Sequence, residues 1–278
     1  MCRCTREPKR CWRPRTEADH SGGYFPSGSM ETSWWLVQAA VLAASLLQGA
    51  TGIGFGVIAG PVLLYVINNG SAIQVSIMLS LVTALVLAPT LIRQMDRAVL
   101  KLLLFGSCLG IPLGILVFNH IDIVMLKLLA GIAVAFMALT VAGVFEKFGR
   151  RKPAASDFRA AWGLGVVSGA MSSSLGMPGP VPAAWMVTRR FPKSVIRATI
   201  LIMFVPSYAA ALALQAFTPG IADESIRWSI ELLPATIAGV IAGKILEQRI
   251  GERTFKRIII VVLACTSLLL LWDVFRQI

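Results

Sequence analysis

The stretch QGATGIGFGVIAGP, from Gln48 to Pro61, lies inside an apolar block that runs from Trp34 to Ile67. A helix crosses the hydrocarbon core of a bilayer in about 20 apolar residues, and this block exceeds that length. In its middle, Gly52, Gly54 and Gly56 alternate with Ile53 and Phe55. Glycine disfavours a helix interior by about 1 kcal/mol relative to alanine, and proline by about 3, so an interruption is predicted there. A second stretch of the same kind, SGAMSSSLGMPGPVP from Ser168 to Pro182, places Ser172, Ser173 and Ser174 before Gly176, Pro178, Gly179 and Pro180. Irregular backbone at membrane depth survives only where protein or a watery cavity surrounds it. The two breaks are therefore expected to line something.

Working outward, further apolar segments occupy 73–92, 99–118, 124–144, 195–217, 228–246 and 258–275, which with the two interrupted regions 34–67 and 161–187 makes eight. The chain of 278 residues is 56% hydrophobic and only 14% charged, where a soluble domain carries about 25% charged residues. Its mean hydropathy is +0.74. Backbone groups in lipid must be satisfied within helices or a closed barrel, and barrels show ten-residue alternation instead of long apolar runs. The fold class is thus an all-α polytopic membrane protein. The net charge of +12 resides in the N-terminal tail and the short loops, which is the ordinary cytoplasmic bias of a membrane protein, so no nucleic-acid partner is implied.

Residues 1–33 form a basic tail in which Arg3, Arg6, Lys9, Arg10, Arg13 and Arg15 alternate with Pro, Gly and Ser. This composition reads as disorder. Cys2, Cys4 and Cys11 lack a fourth ligand at finger spacing, so no metal site is expected. Met30 is an alternative start, and no secretory signal is visible, because the first apolar segment is too long and too far from the terminus.

A repeat divides the rest into 34–144 and 161–278, joined by a linker at 145–160. A shift of 120 residues lays Gly49-Ala50 over Gly169-Ala170 and Gly56 over Gly176; a shift of 129 lays Gly110 and Gly114 over Gly239 and Gly243, and Lys127 over Lys256. Loop charge orients the halves, because short basic loops stay cytoplasmic. In the first half the loops alternate poor, rich, poor, rich, with Arg93, Arg97 and Lys101 in one and Lys147, Arg150, Arg151, Lys152 and Arg159 in the linker. In the second half they alternate rich, poor, rich, poor, beginning with Arg189, Arg190, Lys193 and Arg197. Equivalent loops have opposite bias, so inverted repeats are expected, each opening with a hairpin-like segment that enters and leaves on one side. The alternative is an external loop at 189–197 whose charges are functional.

Each break is followed by an apolar stretch whose first turn offers free N–H groups, and such helix starts attract anions. Glycine lets the backbone approach a small oxyanion, and serine hydroxyls add donors. The substrate-binding candidates are therefore Gly52, Gly54, Gly56, Ser172, Ser173, Ser174, Gly176 and Gly179, joined by Arg197, one turn inside its segment. The competing reading of these small residues is close helix packing, which is the preferred one for Gly110/Gly114 and Gly239/Gly243. Facing breaks in two halves are the usual construction of a carrier site built from repeats.

In this order the features resemble the sulfite exporter TauE/SafE family of membrane permeases, over residues 34–275. The likeness rests on the two glycine-rich segments, the turn Arg93-Gln94-Met95-Asp96-Arg97, and the Gly-x-x-x-Gly pairs in the third and seventh segments. It implies transport, often export, of small sulfur oxyanions such as sulfite, or of organosulfonates, by a permease of the bacterial inner membrane. The serines and prolines of the second motif depart from the commonest glycine-dense form, which leaves the particular substrate open.

An intramembrane enzyme would need a nucleophile, an acid–base pair or a metal cluster, but no segment contains histidine, and Cys108 and Cys265 stand apart in sequence. Glu231 is the candidate proton carrier if one exists, and Lys244 and Glu247 read as a helix pair. No P-loop sequence appears, so no nucleotide cofactor is expected. The expected partners are a small anion and the lipid bilayer, with a homo-oligomer left open. The reading from a different class is a structural or assembly factor without transport activity.

Overall fold

The computed structural model describes residues 27–52, 54–144, 155–218, 220–246 and 252–277. The tail cysteines and arginines and the lysines and arginines at 147–152 lie outside the described residues. Among the described residues there are ten helices and no strand: α1 Ser27–Thr51, α2 Phe55–Ile67, α3 Ser71–Leu91, α4 Arg97–His120, α5 Ile123–Ala142, α6 Ala155–Leu175, α7 Pro180–Thr188, α8 Lys193–Phe217, α9 Asp223–Leu246 and α10 Glu252–Gln277. Helix extends into both flanking stretches, since α1 begins at Ser27 and α6 at Ala155. Each of the two glycine-rich blocks is two helices, so eight apolar regions become ten elements. Seven of the helices are long and apolar enough to cross a membrane.

The tightest packing joins the halves. On α4, a Cβ at Gly106, Gly110 or Gly114 would overlap the Trp162, Val166 or Ala170 carbonyl oxygen of α6. On α9, a Cβ at Gly239 or Gly243 would run into the Leu42 or Leu46 carbonyl oxygen of α1. In lipid no hydrophobic force drives helices together, so backbone-to-backbone contact through small residues carries the association. The Gly110/Gly114 and Gly239/Gly243 pairs are packing positions, as their sequence suggests. Both contacts ascend together, so α4 runs parallel to α6 and α1 parallel to α9. Helices α5 and α10 are antiparallel, with Lys127 against Asp273 and Gly131 accepting from Ser267 Oγ at 3.0 Å. Helices α3 and α8 are antiparallel too: Gln74 reaches Gly220, and the Asp96 N–H reaches Thr199.

These close approaches pair positions of the two glycine-rich segments differently from the glycine match in the sequence. Leu46 takes the place of Ala170 and Gly52 that of Gly176, the latter two sharing φ of +73° and +68°. The shift for the opening segments is therefore 124 residues and not the 120 that matches glycine to glycine. Gly56 is not the counterpart of Gly176 but its neighbour.

At one end of the bundle gather the end of α3, the end of α5, the start of α8 and the end of α9, all lining one cavity. Arg93, Arg97, Lys101, Arg189, Arg190, Lys193, Arg197 and Lys244 belong to this basic end. The far end holds the α2–α3, α4–α5 and α8–α9 turns, where Asp122, Asp223 and Glu224 lie.

Lys127 and Asp273 form an ion pair near the far end, 2.5 Å apart with side chains 1% and 17% exposed. Removing one partner strands the other in a medium that cannot solvate it. Asp273→Asn is expected to destabilise the folded protein by about 3–5 kcal/mol, while Lys127→Met with Asp273→Leu restores most of the loss; thermal unfolding in detergent measures both.

Candidate functional site

Helix α1 ends where Gly52 turns into the left-handed region, its N–H still bonded to the Gln48 carbonyl at 2.7 Å. Glycine carries this φ without Cβ strain, and a Cβ there would also strike Arg197 Cγ. Helix α2 starts after Gly54, and its first N–H, Phe55, donates to Gln48 Oε1 at 2.6 Å. The same oxygen accepts from Thr83 Oγ1 at 3.0 Å. One buried carboxamide thus spans the break, satisfying a helix-start amide that lipid could not. At the second break Gly176 turns likewise, with its N–H and that of Met177 bonded back to the Ser172 and Met171 carbonyls at 3.2 and 3.1 Å. Ser168 Oγ donates to the Pro178 carbonyl across this break at 2.5 Å.

Helix α8 clasps both tips. Arg197 Nη2 donates to the Gly49 carbonyl at 3.0 Å, a cation at the C-terminal end of α1 where the helix dipole favours it. Tyr208 Oη donates to the Gly176 carbonyl and Gln215 Nε2 to the Ser173 carbonyl, each at 2.9 Å. The tips touch each other, for a Cβ on Gly56 would overlap the Gly176 carbonyl oxygen.

A cavity of about 570 Å³ opens at the basic end. Gly52, Gly54 and Gly179 form part of its wall, and Lys193, Arg197 and Lys244 are its charged lining, with no Asp or Glu among the lining residues. Lys193 and Lys244 are exposed at the mouth, whereas Arg197 is half-buried deeper in. Three positive charges beside low-dielectric walls focus a field that concentrates anions.

Of the residues singled out from sequence, the structure brings Gly52, Gly54, Gly179 and Arg197 to this cavity. Gly56 and Gly176 meet behind it. Ser172, Ser173 and Ser174 are buried and lie off the cavity lining. Ser173 Oγ donates to the Ile111 carbonyl of α4 at 2.8 Å, and Ser174 Oγ to the Ala170 carbonyl of its own helix at 2.7 Å. The first turn of α7 is also a poorer donor than its position suggests, because Pro180 and Pro182 have no N–H. Glu231 stands outside, accepting from Arg227 Nε at 3.0 Å. Lys244 lines the mouth, and Glu247, read as its helix partner, lies outside the described residues.

Gln48, Tyr208, Gln215 and Lys193 were not among the candidates. A glutamine inside an apolar block is itself a signal, since a buried carboxamide needs partners. Tyr208 and Gln215 meet the tips only through the course of α8, which no local spacing reveals.

A sequence profile described as Sulfite exporter TauE/SafE matches residues 37–270. No curated protein and no solved structure matches the chain.

Gly52→Ala is expected to cost about 1–2 kcal/mol from the left-handed φ alone, and more from the collision with Arg197. Thermal unfolding in detergent, compared with Gly163→Ala, where a Cβ meets nothing within 4 Å, isolates the effect of the site.

Proposed function

Because the chain belongs to the Sulfite exporter TauE/SafE family, a family of membrane transporters of sulfur anions, we propose that it is a secondary exporter of a small sulfur oxyanion, sulfite or an organosulfonate. The observation that carries this reading is the cavity itself, with its cationic lining and a glycine break in its wall. An anion leaving water at the mouth passes Lys193 and Lys244 and arrives at Arg197 and the backbone of Gly52, Gly54 and Gly179. Fixed positive charge there replaces part of the hydration at a small reorganisation cost. The four glycine and arginine positions are the proposed binding site. Gly56, Gly176 and Ser172 to Ser174 shape the tips behind it.

The basic end is proposed to face the cytoplasm of a bacterium, by the bias of short basic loops, which makes the present conformation open to the inside. The halves are proposed to be inverted-topology repeats. Supporting this, α3–α4, α4–α5 and α8–α9 are joined by short turns, and α1 parallels α9 while α4 parallels α6, so each helix runs against its counterpart. Hairpins α1–α2 and α6–α7 then enter from opposite faces and meet tip to tip, a geometry suited to alternating access. No P-loop sequence occurs in the chain, so an ion or substrate gradient is the proposed driver.

Sulfite flux in proteoliposomes tests the proposal. Wild-type protein is expected to move sulfite or a sulfonate, and absence of flux for sulfite, sulfate, sulfoacetate and taurine alike overturns it. Lys244→Gln, at an exposed position, is expected to weaken anion binding by about fivefold at low salt and hardly at all at 1 M salt, because screening removes the contribution of an exposed charge. The loss in Arg197→Gln persists at high salt, since this guanidinium is partly shielded from solvent.

A further inference from the structure

Helix α3 carries a stripe that the cavity only begins. Leu87, Thr90 and Gln94 line the cavity wall. Stepping from Leu87 toward the far end at the three- and four-residue spacing of one helix face, the next residues are Thr83, Ser80 and Ser76. All three are fully buried, at 0% exposure. Hydroxyls are a poor choice for a face that only packs, because each gives up water and gains little dispersion.

Thr83 Oγ1 donates to Gln48 Oε1 and has a second acceptor in reach, the Ser80 carbonyl at 2.8 Å, but polar atoms on either side of it lack partners. Gln48 Nε2 is buried with no hydrogen-bond partner. Ser80 stands beside Tyr208, whose phenol reaches the Gly176 carbonyl. Ser76 Oγ lies at the meeting of the tips, 3.3 Å from where a Cβ on Gly56 would stand, and it too is buried without a partner. Each unsatisfied buried donor costs about 1–3 kcal/mol. A group that accepts hydrogen bonds and visits only at times would recover that cost. Past Ser76, Gln74 clasps the far end: its Nε2 donates to the Gly220 carbonyl at 2.9 Å, and its Oε1 accepts from Ser225 Oγ at 2.7 Å and the Ala222 N–H at 3.2 Å.

We infer that Thr83, Ser80 and Ser76, with Gln48 Nε2, line the continuation of the permeation route from the cavity to the far end, serving a dehydrated oxyanion with neutral donors. This rests on the carrier reading of the cavity. In the present conformation the route is shut by the contact of Gly56 with Gly176 and by the Gln74 clasp, and Leu87 is the apolar threshold between charged entrance and neutral passage. Neutral donors suit a passage, since a fixed positive charge deep in the path would hold the anion too tightly to release it.

The test uses the full chain in sealed membrane vesicles, with Cys2, Cys4, Cys11, Cys108 and Cys265 replaced by serine or alanine and one new cysteine added at a time: Thr90→Cys, Ser80→Cys, Ser76→Cys, and Ala130→Cys as an equally buried control on α5. A small methanethiosulfonate bearing a sulfonate reports access, because modification requires an exposed thiolate. Thr90→Cys is expected to react from the basic end. Ser80→Cys and Ser76→Cys are expected to react from the far end about tenfold faster than Ala130→Cys, and the sulfonate reagent to be preferred about tenfold over its trimethylammonium analogue after correction for intrinsic reactivity. Two substituted positions guard against one failing to fold. If Thr90→Cys reacts while neither serine position exceeds the control, the route is wrong and the cavity reading stands. Fast reaction without preference for the anionic reagent overturns the proposed ligand class. If Thr90→Cys itself is inert, the cavity is not an entrance, and both readings fall.

Discussion

A helix that stops inside a hydrocarbon slab leaves amides and carbonyls with no water to turn to. Everything at the centre of this protein answers that constraint. Gln48 takes the first amide of α2, Ser168 bridges the second break, and one helix, α8, supplies Arg197, Tyr208 and Gln215 to the carbonyls that α1 and α6 leave open. Gly49 and Ser173, whose carbonyls are two of those served, occupy the same place in the two halves by the register of 124 residues. The breaks are held by side chains that bond their backbone groups, and with those groups bonded they stand beside an open cavity.

The same economy of side chains governs the packing. Small residues on α4 and α9 press directly on the carbonyls of α6 and α1, so each hairpin is held against a long helix of the other half by backbone contact. Neither half has its hairpin to itself. In the proposed carrier, a shift of one half against the other would move the tips as well.

Along the proposed path charge is graded. Exposed lysines stand at the mouth, a half-buried arginine at the glycine break, and neutral hydroxyls beyond Leu87. The far end carries a polar clasp around Gln74.

The amino-acid sequence determined the membrane class, the two interrupted segments and the basic end, because these follow from the length of apolar runs, the helix cost of glycine and proline, and the count of charges in short loops. It also carried the family resemblance and the packing role of the paired glycines. It misled on register, since glycine matched to glycine gives a shift of 120 while the backbone conformation pairs Gly52 with Gly176. Only the tertiary structure decided which polar residues face the cavity and which face a neighbouring helix. Ser173 and Lys193 look alike as donors in sequence, yet one is spent on the Ile111 carbonyl and the other stands at the cavity mouth. The physical reason is that a buried donor needs an acceptor, and whether that acceptor is a carbonyl of its own helix, as for Ser174, or one on a distant helix, as for Ser173 and Gln215, depends on how the helices pack.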